Sequence, residues 1–198
     1  MTVLVLLMLA FAQETQPVYK FGTTVVLPTG LKGQIYFIRG GTEWLPDFRK
    51  LKPVGTIYTP LLNIPTQNFD QGFPGVTKRF EWFAIDYTGR FWIAQPGLYR
   101  YSLISDDGSK LYIDDDLVIE NDGTHATREQ GGEKDLSVGM HRIRVSYFQG
   151  PRMEVALILR VANPGDRKFR IFTTDEFKPP PEAQWQDDPP PTKSRKKH

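Results

Sequence analysis

Between Ser105 and Asn121 the chain reads Ser-Asp-Asp-Gly-Ser-Lys-Leu-Tyr-Ile-Asp-Asp-Asp-Leu-Val-Ile-Glu-Asn. Asp106, Asp107, Asp114, Asp115 and Asp116 place five carboxylates in the first twelve of these residues. Carboxylates at that density must be solvated, paired with bases, or bound to a hard cation. Asp107-Gly108 is a favoured turn dipeptide, and Asp106 can accept hydrogen bonds from nearby loop N–H groups, so a purely structural turn stays open beside a bound cation. Asp114–Asp116 falls between two short apolar runs and reads as a solvated hairpin tip.

Catalytic chemistry finds no support. There is no cysteine, and His125 and His141 are the only histidines before the terminal residue. No Gly-x-Ser-x-Gly elbow, phosphate loop or His-x-x-x-His pair occurs. Paired carboxylates hydrolyse glycosides only across a cleft, about 5–9.5 Å apart, and no cleft can be read from spacing. The expectation is a protein that is not an enzyme.

The elements around the acidic stretch read as short strands. Lys110–Ile113 and Leu117–Glu120 flank the tip. Gly33–Arg39 and Val54–Tyr58 are β-branched and aromatic, with Leu45–Lys52 between them as a short helical turn. Lys78–Tyr87 and Arg90–Ala94 read as a hairpin around Thr88-Gly89. Leu98–Ser105, Gly139–Gln149 and Met153–Val161 each alternate with period two. Thr59–Val76, rich in Pro and Gly, and Asp122–Glu133 read as loops, the first long enough to be a functional surface. Trp44, Trp82 and Trp92 have the shape to stack on a sugar ring, or to serve as core aromatics. No segment has a sustained helical period, so the fold class is all-β, an antiparallel β-barrel or sandwich.

With 198 residues the chain suits one domain with tails. The net charge is +2, yet Lys193, Arg195, Lys196 and Lys197 supply four positive charges at the end, and the remainder carries −2. The basic balance therefore belongs to a tail, which argues against a nucleic-acid-binding body. Val3–Phe11 followed by Ala10-Phe11-Ala12 reads as a signal peptide over 1–12, too short to span a bilayer. Residues 13–29 follow as an N-terminal extension, 30–163 as the β-barrel, and 164–198 as a Pro-rich, basic, mostly disordered tail. This organisation implies a secreted or periplasmic protein that does not span the membrane.

The run Gly97-Leu-Tyr-Arg-Tyr-Ser-Leu-Ile-Ser-Asp-Asp-Gly-Ser-Lys-Leu-Tyr-Ile-Asp-Asp-Asp-Leu-Val-Ile-Glu-Asn resembles the protective-antigen-14 domain. So do Gly139-Met-His-Arg-Ile-Arg-Val-Ser-Tyr-Phe-Gln-Gly150 and the opening Gly30-Leu-Lys-Gly-Gln-Ile-Tyr36. The resemblance spans Leu31 to Val161 in the family's order. It implies an exported antiparallel β-barrel, some members of which bind carbohydrate with calcium. In those lectins the residues matching Asp106 and Asp107 share one calcium ion across a cis peptide, and sugar hydroxyls complete its shell. Neighbouring side chains on a strand diverge, so two adjacent carboxylates meet one ion only at a sharp bend.

Calcium takes about 6–8 oxygens, so the pair needs a second loop. In the lectins that loop brings an asparagine; here Gln149 stands in its place, one methylene longer, with Gly150-Pro151 after it. The implied site is Asp106, Asp107 and Gln149 for metal, and the same residues with His125 for carbohydrate. The implied partner is a glycan or cell-surface polysaccharide. A structural or protein-interaction module without metal or sugar remains the alternative.

Overall fold

In a computed structural model of the chain, residues 30–76 and 79–180 are described in full, with the backbone of 19–21 and 24–26. The expected signal peptide at 1–12 lies outside the described residues, as does the end of the tail.

Among the described residues the fold has thirteen strands. β1 (Tyr19–Phe21) and β2 (Thr24–Val26) form a separate antiparallel pair. β3 (Leu31–Phe37), β4 (Gly55–Thr59), β5 (Asn63–Asn68), β6 (Phe83–Ile93) and β7 (Gly97–Asp106) follow. Then come β8 (Ser109–Ile113), β9 (Asp116–Asn121), β10 (Arg128–Leu136), β11 (Gly139–Gln149), β12 (Glu154–Ala162) and β13 (Arg170–Ile171). One sheet has the order β4-β3-β6-β11-β8-β9, and the other β10-β7-β12-β13, with β5 also pairing β12. Every pairing is antiparallel. Among the described residues no helix is long and apolar enough to cross a membrane.

The core lies between the two sheets, and period-two alternation fills it. β11 sends in Ile143, Val145 and Tyr147, and β12 sends in Val155, Leu157, Leu159 and Val161, all buried. Phe73 stacks on Tyr147 at 5.1 Å between ring centres. The opposite face of β11 is covered at one end, where Phe148 joins Tyr36, Ile38, Phe48 and Ala84 in a smaller cluster. That cluster sits beneath the short 3₁₀ turn Phe48–Lys50, where a helical turn is expected from sequence.

Three expectations about the strands need correction. Thr88-Gly89 does not turn the chain: β6 is continuous, with Gly89 opposite Ile143. A Cβ there would lie 2.7 Å from Leu31 Cδ2, so the glycine serves close packing rather than a turn. The segment 122–133 is not all loop, since β10 pairs with β7 along its whole length. Within 59–76, β5 forms an edge strand containing Pro65, and the register of β12 shifts between Val155 and Leu157, opposite that stretch.

The domain boundary also moves. Beyond residue 163, β13 pairs with β12, Phe172 and Phe177 are buried, and Trp92 donates its N–H to Phe177 O at 2.7 Å. Phe172 and Phe177 stack at 5.2 Å and close the end of the core beside Phe91. Apolar burial outweighs the polar composition of this segment.

The hairpin tip holds where expected, but its acids are paired. Asp114 and Asp115 both have positive φ, as a two-residue primed turn requires. Asp114 accepts from Arg142 N at 2.8 Å and meets His141 Nδ1 at 2.6 Å. Desolvation opposes ionisation of Asp114, yet these partners hold its carboxyl below the usual range. Asp115 pairs with Arg142, and Asp116 with Lys134.

Candidate functional site

β7 ends at Asp106 and β8 begins at Ser109, so Asp107 and Gly108 make the whole connection between strands of opposite sheets. The Asp106–Asp107 peptide bond is cis. Gly108 has no room for a side chain: a Cβ would lie 2.4 Å from Phe148 Cε1 and 2.9 Å from Asp122 Oδ1.

A buried polar network fixes this corner from below. Ser105 and Ser109 hydroxyls meet at 2.7 Å, and Asn121 Nδ2 donates to Ser105 Oγ at 3.0 Å. Arg128 Nε then donates to Asn121 Oδ1 at 2.7 Å, tying in the loop from residue 121 to 128. Sequence reading passes over these three polar residues. Their signal was present, because Ser105 and Ser109 occupy inward positions in period with Leu103 and Leu111.

Both carboxylates face that same loop and are buried at 6% and 3% exposure. Asp107 accepts from His125 N at 3.0 Å and from Gly150 N at 2.7 Å. Asp106 meets Thr127 Oγ1 at 3.5 Å, and its backbone carbonyl accepts from Tyr147 OH at 2.6 Å. Burial, followed by the charges of Asp107 and Glu154, pushes the Asp106 carboxyl up to about 6. Burial likewise raises Asp107, against the N–H groups of Gly150 and His125. His125 favours the charged form of both groups, and among the described residues no Lys or Arg adds to it.

Of the four residues expected at the site, the structure brings together Asp106 and Asp107. Gln149 lies in the period of Ile143, Val145 and Tyr147 and is fully buried. Its Oε1 accepts from Tyr147 OH at 2.7 Å, and its Nε2 donates to Glu154 O at 2.9 Å and Pro151 O at 3.3 Å. Its amide is therefore committed to holding the loop after β11 rather than offered to an ion. His125 also departs from expectation. Its backbone N–H meets Asp107, while its ring nitrogens sit 2.9 Å from Ala126 O and 3.0 Å from Asn121 O. The ring orders its own loop.

Among the described residues no group of three or more His, Asp or Glu is placed to hold a metal. The acidic donors here are two carboxylates, and any further oxygens must be carbonyls, water or ligand hydroxyls. Trp44, 62% exposed, flanks the site: its ring lies over Gly123, and Leu45 N donates to Asp122 Oδ1 at 2.8 Å.

The fold recurs in solved structures. An anti-sigma factor domain-containing protein superposes with a TM-score of 0.60 at 19% identity, over 80% of this chain and 51% of that one. The chain thus spans about half the length of that relative. A PA14 sugar-binding domain from an RTX adhesin matches with a TM-score of 0.60 at 18% identity, covering 74% of this chain and 96% of that one. The A domain of epithelial adhesin 9 from Candida glabrata, solved with Galβ1-3GlcNAc, gives 0.54 at 13% identity, over 75% and 87% of the two chains. At these identities the likeness shows the fold. A search of curated proteins returned no match. The family model described as the PA14 domain matches residues 60–171, more than half of the sequence and all of the strands around Asp106 and Asp107. The chain belongs to the PA14 domain family.

Proposed function

We propose that this is an exported, non-catalytic carbohydrate-binding module whose ligand docks at the Asp106–Asp107 corner with the help of a calcium ion. One observation carries the reading: two adjacent buried carboxylates face one loop, offset by His125 and two main-chain N–H groups but, among the described residues, by no Lys or Arg. Uncompensated buried charge is costly, and a hard cation with oxygen ligands relieves it. Bound calcium would supply a Lewis-acidic anchor for sugar hydroxyls. Asp106 and Asp107 would hold the ion, while Gly150 N–H and His125 N–H keep the Asp107 carboxylate oriented. Trp44 offers an exposed ring on which a sugar face can stack. The names of the RTX adhesin domain and the epithelial adhesin complex lend support. A glycan-array screen in calcium and in chelator tests the reading: hits that vanish in chelator are expected, and a blank array in both sinks it.

A second reading, a protein-interaction module without metal, draws on the two N–H groups that already serve Asp107. The Asp106→Asn variant separates the two. Folding raises the Asp106 pKa from 3.8 to about 6, so in chelator this group makes the protein more stable as pH falls from above 6 toward 4. Calcium binds the ionised form and reverses that trend. At neutral pH in chelator, Asp106→Asn is expected to stabilise by about 1–2 kcal/mol, solvent at the mouth of the site screening part of the effect. The same variant should lose the calcium-induced rise in Tm. A wild-type Tm indifferent to calcium at every pH favours the second reading.

A further inference from the structure

Beside the carboxylate corner, across the loop that follows β11, lies a groove of about 530 Å³ with the opposite charge. Arg39, Arg79 and Arg152 line it against a single acid, Glu81, with Phe80 and Trp82 forming its aromatic surface. The two features share a wall: Gly150 donates its N–H to Asp107 and accepts from Trp82 N at 3.3 Å.

The groove is built rather than incidental. Trp82 has φ +56°, a left-handed conformation that an aromatic residue rarely adopts. There its carbonyl accepts from Ile38 N at 3.0 Å and from Arg79 Nη1 at 3.2 Å. Arg79 also donates to Ile38 O at 3.2 Å and packs over the Phe37 ring at 4.4 Å, which fixes its guanidinium in place. Arg152 bridges to Glu81 at 3.3 Å and lies 5.7 Å from the Phe69 ring centre. Arg39 is exposed, and Phe80 is 49% exposed, in edge-on contact with Phe69.

We infer that this groove binds a uronate residue of an acidic glycan, its carboxylate held by Arg39 and Arg152 and its ring against Phe80. Guanidinium groups match a carboxylate in a bidentate fork, and an exposed aromatic ring suits the apolar face of a pyranose. Because the groove adjoins the Asp106–Asp107 corner, one chain of sugars can occupy both, a neutral residue at the corner and the acidic residue beyond the loop. The inference rests on the carbohydrate-binding reading and adds its charge preference.

The test is calorimetric titration of the full chain, in calcium, with a glucuronate-bearing disaccharide and its carboxyl-reduced neutral counterpart. The acidic sugar is expected to bind about tenfold tighter, a difference that shrinks at high salt. Arg39→Ala and Arg152→Ala, both at exposed positions, should remove most of that advantage and leave the neutral sugar unchanged. Equal binding of the two sugars overturns the inference while the carbohydrate reading stands, and so does an acid preference indifferent to both arginines. Binding of neither sugar overturns both. Binding of an acidic peptide in place of the acidic sugar also overturns the inference.

Discussion

Asp107→Ala is expected to destabilise the fold by about 3 kcal/mol and to abolish calcium binding. The Asp107 carboxylate is 3% exposed and accepts the N–H groups of His125 and Gly150. Alanine leaves both donors without an acceptor in a buried corner, and each orphaned group costs about 1–3 kcal/mol. The two loops that these bonds pin, 121–128 and the one following β11, are the walls of the site, so their order goes with them. Chemical denaturation in chelator measures the first effect apart from any metal. An unchanged midpoint there means that Asp107 does not hold the loops, and the description of the corner fails. The contrast with Asp106→Asn is the informative part: in chelator, removing the Asp107 side chain is expected to weaken the fold and neutralising Asp106 to strengthen it.

Phe172→Ala is expected to cost about 3–5 kcal/mol, the range for emptying a large aromatic site in a packed core. Phe172 is fully buried, makes an edge contact with Phe91 and stacks on Phe177. Its N–H also donates to Leu159 O at 2.9 Å. Truncation before residue 169 removes both rings and should cost more than the single substitution. The calcium response of Phe172→Ala, measured where it is still folded, should match that of the wild type, because the ring closes the core at a distance from the acidic corner. Full stability after truncation would restore the boundary at residue 163.

The contrast between these two sites shows what the sequence makes legible. Strands with one wet and one dry face declare themselves: β11 was expected at Gly139–Gln149 and is found there. β10 leaves no such trace, because Glu129, Gly131 and Glu133 are exposed, Gly132 packs against Val118 without a side chain, and the strand is held by its main chain against β7. Phe172 ends the short run Phe169-Arg-Ile-Phe172, which reads as a last strand but is too brief to show a period, and Phe177 stands alone between Glu176 and Lys178. At the site, the Asp-Asp-Gly turn was readable from residue types alone. Gln149 was misplaced because the family pattern assigned it to a loop, although its own strand's alternation pointed inward. The resemblance puts His125 at the site, but its backbone N–H reaches Asp107 while its ring turns to Ala126 and Asn121, and residue type carries no record of that choice.

The direct test of the carboxylate corner is calorimetric titration of calcium into the full chain at neutral pH, with Asp106→Asn as the control. Two adjacent oxygen-donor side chains lead to the expectation of one calcium per chain, with a stability gain of about 2.7 kcal/mol at a hundredfold excess over Kd. Asp106→Asn should give no heat of binding. Absence of binding to the wild type, or equal binding to wild type and Asp106→Asn, would contradict the assignment of the corner as a calcium-assisted site.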